Sequence, residues 1–498
     1  MTPSLSPADA WQPLPPSSWN SEAAKHLLRR AGWTARPAEV EQAVSAGLPA
    51  TLDRLFPAEP ILLPKPRQVS RLEDETPGYQ QRLRAASVDE KRMLQRSSRE
   101  RTQMALQDMS IKWLRLASQP ANSAFAKWVH FLGDVYVVSS EKIQNAALLF
   151  QHFDIIARQA LGPAPTLTKA ISRSPAMVIY LDLNQSQKNA PNENFARELF
   201  ELFVLGEGNY SEQDIKEAAR AFTGYRLQAS GLEFRSIPAQ HDTTPKTVFG
   251  QTAPFTGDGV IDLAYAQPAA ASFLPHEMVK FYLSDSPLPA GHLASLGTLW
   301  RADNFNLRAL AQRFFGSRLF FVPEFRGNFI KSPVQFYLGL VQDLELEITP
   351  LPRYALTPLR QMGQTLYAPP NIRGWVGGRN WINSSTIAAR RALVESLFVP
   401  IDEKNLNADE QIELLAARAD GTVNFTEPKE SFDAFARTDP DTAAVRLIAT
   451  FLPSPDDDSL RKNLSQFIAA GPSAEAERFR RVRRAAVTLL QSPAYQLC

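Results

Sequence analysis

The chain has 498 residues, 44% of them hydrophobic and 21% charged, enough at roughly 100 to 200 residues per domain to bury one large core or two smaller ones. Its 54 Lys and Arg against 52 Asp and Glu leave a formal charge of +2, which argues against a phosphate-tracking surface spread over the molecule and so against nucleic acid as a partner. The single cysteine, Cys498, excludes an intramolecular disulfide and any cysteine-based zinc site. None of the six histidines falls in an HExxH pattern or a closely spaced pair, which excludes a zincin site.

Residues 1–20 form a Pro-rich lead without the charged and apolar regions of a secretory signal, and no run of about 18 apolar residues occurs anywhere. The expectation is synthesis and release into the cytoplasm, with export only in complex with a partner that carries a signal. Asn20 or Ser21 caps a helix whose apolar face is Ala23, Ala24, Leu27, Leu28 and Ala31, with Gly32 at its end. Pro37 opens a second helix toward Gly47, and a third lies around 51–56. Prolines at 57, 60, 64, 66 and 77 make residues 57–77 read as loop. A long charged helix then spans 86–118, with Met93, Leu94, Met104, Met109, Trp113 and Leu116 at helical spacings and a solvated face between them.

From 124 to 203 helix follows helix, broken at Gly162-Pro163, Ser174-Pro175 and the polar stretch 184–191. Ser211 and Asp214 form an N-terminal capping signal for a helix that ends at Thr223-Gly224. Residues 225–250 differ: LEFRSI and KTVFG flank 238–245 and read as a small β-hairpin with a long tip. Helices resume near 268 and continue to about 399, interrupted by PPNIRGWVGGRNW at 369–381, loop chemistry folded over something apolar. The closing helix carries Phe479, Val482, Ala485 and Leu489 on one stripe, so its arginines from Arg478 to Arg484 read as the polar face of an amphipathic helix before they read as a nucleic-acid arm. The expected fold is mainly α, a large multi-helix globular fold with a small β-hairpin insertion near 225–250. It divides into the lead 1–20, a helical core 21–399 and a C-terminal helical segment 400–498 packing on that core.

The densest polar pattern is NENFARELFELF at 192–203. At roughly 100° per residue, Glu193, Asn194, Arg197, Glu198 and Glu201 fall on one arc, and Phe195, Leu199, Leu202 and Phe203 on the other. Three carboxylates around one arginine could tune a carboxylate or bind a hard cation. The i,i+4 pairs Glu193–Arg197 and Arg197–Glu201 would equally stabilise any exposed helix. His241, Asp242 and Lys246 share the proposed hairpin tip, where an adjacent His and Asp could orient a general base or satisfy a tight turn. His26, the pair His276 and Lys280, and Lys331 read as helix or cap residues.

Six ordered stretches resemble a bacterial family catalogued as domain of unknown function number 1800. They are HLLRRAGW from residue 26, SPAMVIYLD at 174–182, the long run NENFARELFELFVLGEGNYSEQDIKEAARAFTGY at 192–225, HDTTPKTVFG at 241–250, PPNIRGWVGGRNW and the closing SPAYQ. The resemblance implies a mainly helical fold and brings no established activity. It also implies a partner, because family members are often found with a sulfatase-like family of unknown function, number 1501, whose members commonly carry a twin-arginine export signal. Many members show a pattern like FWHxHF. The matching FLGDVY here puts Gly133 and Val135 where the two histidines would stand; if that pair ligates a metal in relatives, this chain has lost it. Whether a metal or other cofactor binds stays open. Asn192, Glu193, Arg197, Glu198, His241 and Asp242 match the family pattern.

Two functional expectations follow. The first is an accessory or interaction protein whose polar cleft takes a partner or ligand. The second is a hydrolytic or acid/base enzyme, with Glu198 or Glu193 as general base, Arg197 holding an anionic substrate group and His241 with Asp242 completing the site. The enzyme requires Glu198 and His241 to converge.

Overall fold

The computed structural model describes residues 5–453, 458–472 and 474–498; the first four residues of the Pro-rich lead lie outside it. The described chain is mainly helical, and two small antiparallel sheets hold the only strands among the described residues. No described helix is long and apolar enough to cross a membrane. Helices start where side chains can take up orphan backbone N–H groups. Asn20 caps Ser21–Ala31, and Ser87 with Glu90 and Ser211 with Asp214 form capping boxes on Val88–Ser118 and Glu212–Ala221.

Two expectations change. Residues 67–77 are helix rather than loop: Arg67–Ala85 runs straight through Pro77. The lost hydrogen bond is tolerated because Val69 and Leu72 on this helix are buried in the same core as Met109 and Leu114 of the long charged helix. The hairpin also pairs differently. β1 (Tyr225–Leu227) pairs with β2 (Phe234–Ser236), and β3 (Lys246–Val248) with β4 (Gln251–Ala253). Each closes locally over a glycine in the left-handed region, Gly231 and Gly250, so LEFRSI and KTVFG are not partners and His241 and Asp242 lie on the connection between two ribbons.

The apolar residues form two large cores. One gathers Trp128, Phe131, Phe195, Phe203, Phe222, Tyr282 and Phe315; the other gathers Met109, Trp113, Phe336, Leu340, Leu447, Val482 and Leu490, and so includes the C-terminal helices. The Ser123–Val135 helix contributes to both, through Trp128 and Phe131 on one side and Ala126 on the other.

A buried polar spine runs along this helix. Lys127, 3% exposed, donates to Arg30 O (2.8 Å), Gly32 O (2.9 Å) and Gln335 Oε1 (3.0 Å). Gln335 Nε2 donates back to Arg29 O, and the Arg30 guanidinium reaches the carbonyls of Tyr282, Leu283 and Phe325. Burial lowers the Lys127 pKa to about 7, yet three acceptors match the three N–H donors of an ammonium. Lys127→Met should therefore leave three carbonyl oxygens unmet and cost at least about 3 kcal/mol in urea denaturation. Arg96→Ala, which removes only an exposed ion pair with Glu100, should leave the midpoint unchanged.

Candidate functional site

The NENFARELFELF run does not continue as one regular helix. An α-helical turn, Asn194–Glu198, passes into a π-helix, Leu199–Val204, and the wider turn redistributes the predicted polar arc. Arg197 pairs with Glu193 (3.3 Å) and, more closely, with both oxygens of Glu212 (2.8 and 2.9 Å). That fork and the two carboxylates raise the Arg197 pKa further, so the arginine is spent in a surface clasp. Glu201 turns away to accept from Tyr210 Oη (2.7 Å) and from Arg373 (2.7 Å), which also holds Glu207 (2.6 Å). Glu198 is half-buried beside them; burial and then Glu201 raise its pKa, against Arg373 and Arg197.

His241 and Asp242 belong to a different assembly. The Asp242 carboxylate accepts from Arg220 Nε (2.7 Å) and from the backbone and hydroxyl of Thr244 (2.9 and 2.6 Å). Burial works against the charge, but these hydrogen bonds outweigh it and hold Asp242 well below the usual carboxylate range. Arg220 also pairs with Glu217 (2.7 Å), whose carboxylate accepts from Thr247 N, and Lys246 Nζ donates to the Asp242 and Thr244 carbonyls. His241 Nδ1 lies 3.0 Å from Thr223 O and donates to it. The group is a latch fastening the connection to the Glu212–Ala221 helix. Among the described residues, no hydrogen bond or ion pair joins it to Glu193, Arg197 or Glu198.

A large cavity lies elsewhere. A cleft of ≈ 880 Å³ opens between the Ser123–Val135 helix, the π-helical turn, the Ala270–Tyr282 helix and the strap 369–381, and its lining includes Asp134, Glu201, Glu277, Lys280, Arg373 and Trp375. Asp134 Oδ1 accepts from Trp375 N at 3.1 Å. Burial pushes this carboxyl up to about 7, the Trp375 N–H opposing and Glu277 adding to the rise. Glycine is required at the contact. Gly374 has φ +73°, and a Cβ there would fall 2.0 Å from Asp134 Oδ1. Opposite, Glu277 pairs with Lys280 at 2.9 Å.

Behind the cleft is a small apolar cavity lined by Trp113, His130, Gly133, Phe153, Tyr367 and Trp375. His130 Nε2 accepts from Gln364 Nε2 (3.2 Å), and burial lowers its pKa to about 4, so the ring is neutral. Among the described residues, no group of three or more His, Cys, Asp or Glu side chains is placed to hold a metal ion. Asp134 and Arg373 are the site residues that sequence reasoning passed over. The available signal was the FLGDVY stretch itself, where Asp134 stands between the two departures, together with the strap's run of glycines and tryptophans.

The model of a family described as a protein of unknown function, DUF1800, matches residues 26–497. The chain belongs to that family. No curated protein and no solved structure matches it. Gly133 and Val135, the two positions compared with a histidine pattern above, are closely packed. A Cβ on Gly133 would lie 2.6 Å from the Phe153 ring, and Val135 is buried at 7% exposure.

Three outcomes follow from this geometry. Gly133→His with Val135→His should destabilise the fold through overpacking against Phe153, and elemental analysis should find no stoichiometric metal. Asp242→Asn should cost about 1 to 3 kcal/mol at pH 7; because the folded-state pKa is depressed, that advantage of the wild type is present above the ordinary aspartate range and lost as pH falls through the folded value. Asp134 has the opposite sign. Its folded pKa is raised, so the wild type should lose stability relative to Asp134→Asn as pH rises from about 4 toward 7 and then level off, read as urea midpoints at pH 5 and pH 8.

Proposed function

We propose that this DUF1800 member is an accessory binding protein whose cleft takes a ligand or a segment of a partner. The observation that carries the reading is Asp134, a carboxyl open to the ≈ 880 Å³ cleft with one oxygen held by Trp375 N and the other receiving no hydrogen bond among the described residues. Glu193, Arg197, His241 and Asp242, by contrast, have hydrogen-bond partners of their own that fasten surface turns. The π-helix supports the same location, since such turns gather at functional sites and this one supplies Glu201 to the cleft rim.

The rival reading is an acid/base enzyme, and it now rests on Asp134 rather than on Glu198 with His241. A carboxyl near neutrality across from Glu277 and Lys280 is chemically able to transfer a proton. Bacterial origin and joint export with the sulfatase-like partner of family number 1501 belong to the proposal too and rest on the family resemblance; release into the cytoplasm, also part of it, rests on the sequence having no long apolar run.

The test is a fluorescence thermal-shift screen of small molecules and of the co-expressed partner, run on wild type and on Trp375→Ala. Stabilisation that Trp375→Ala abolishes, without turnover of any bound compound, is the expected result. Turnover lost in Asp134→Asn would put the enzyme first, and the absence of any Trp375-dependent binder would overturn both.

A further inference from the structure

The charges in the cleft are nearly all matched internally. Arg373 holds Glu201 and Glu207, Lys280 holds Glu277, and Lys127 is taken up by three carbonyl or amide oxygens. Among the described residues, Asp134 Oδ2 is the exception. The groups that face this carboxyl are Glu277 and Lys280 from the Ala270–Tyr282 helix and the Trp375 N–H from the strap. Lys280 points its ammonium at Glu277 and is itself exposed. Aromatic rings complete the surroundings: Phe131 and Phe281 lie 5.2 Å apart between centroids, and His130, neutral in its burial, packs against both Phe281 and Trp375.

A carboxylate with a free oxygen, a second carboxylate within electrostatic reach and aromatic faces alongside make a set that favours positive charge. An anion would meet Glu201, Glu207, Glu277 and Asp134, and of the cations lining the cleft Lys127 is already held by three oxygens while Arg373 and Lys280 are paired with those same glutamates. A neutral ligand would leave Asp134 without a counter-charge. The geometry points to a ligand bearing a cationic nitrogen, a primary ammonium or a guanidinium, that pairs with Asp134 Oδ2 and lays its carbon chain along Phe131, Phe281 and Trp375. This inference rests on the binding-protein reading and narrows its ligand class. Binding carries a proton linkage, because pairing needs the ionised carboxylate and a proton held by Asp134 must leave as the cation enters.

Isothermal titration with n-butylguanidinium, n-butylammonium, butanol and butyrate decides it, on wild type, Asp134→Asn, Glu277→Gln and Glu193→Ala. The expected result is binding of one or both cations, weakened about tenfold or more by Asp134→Asn, less by Glu277→Gln and not at all by Glu193→Ala. Affinity should rise about tenfold between pH 6 and pH 8 as the carboxyl ionises, with a proton released to buffer at pH 6. The two cations separate ammonium from guanidinium recognition. Equal affinity in a folded Asp134→Asn, or binding of butanol or butyrate as tight as that of the cations, overturns the inference. If butanol or butyrate alone binds and Trp375→Ala abolishes it, the cationic ligand is refuted while the binding cleft stands; if no probe binds, the cationic ligand is refuted and the Trp375-dependent screen alone decides the cleft reading.

Discussion

Lys127 is the constraint around which the molecule is organised. An ammonium taken out of water is costly unless its donors are met, and all three are met by oxygens on other elements: Arg30 O and Gly32 O at the end of the Ser21–Ala31 helix, and Gln335 Oε1 on the Pro333–Asp343 helix. Those contacts fix the depth and rotation of the Ser123–Val135 helix between the two cores. Seven residues further along the same helix, two turns on, comes Asp134. The carboxyl at the cleft is held in place because the ammonium on its helix cannot move.

The strap over the cleft is fixed at both of its working ends by acidic groups. Arg373 ties it to Glu201 on the π-helical turn and to Glu207 just beyond, and Trp375 N ties it to Asp134. Glycine at 374 lets the backbone come this close. The π-helix is part of the same arrangement. A regular α-helix through 199–204 would have kept Glu201 on the arc with Arg197, one turn back; the wider turn instead sends it to Tyr210 and Arg373, where it braces the strap.

Most helices were legible because their determinants are local. The caps at Asn20, Ser87 and Ser211 lie within three residues of the N–H groups or carboxylates they meet, and the apolar stripes repeat within each segment. Arg67–Ala85 was not legible, since Pro77 forbids it locally and only burial of Val69 and Leu72 against the next helix overrides that. The pairing of the strands failed for a related reason: which ribbon LEFRSI joins is decided by turns at Gly231 and Gly250, not by the strands' own patterns. At the site, the Glu193–Arg197 pair is visible at i,i+4, but Glu212, the partner that holds both guanidinium nitrogens, lies fifteen residues on. Asp134 and Trp375 are 241 residues apart, and a single aspartate in an apolar run carries no sign of the strap it supports.

Positions 133 and 135 are constrained by the packing around them. Position 133 is filled by Phe153 of the next helix, whose ring in turn packs on Tyr367 at 4.8 Å, and Val135 is closed into the core. An imidazole at position 133 would require Phe153 to leave, and the apolar cavity it lines with Trp113 and Trp375 would have to reorganise. Between these two positions the backbone still presents Asp134 to the cleft. What this neighbourhood holds is one acidic group in an aromatic setting, and a carboxyl pushed up by burial to about 7 responds to whatever charge enters: a cation draws it to the ionised form and an anion to the protonated one. Any such response would run through Asp134, whose second oxygen receives no hydrogen bond among the described residues.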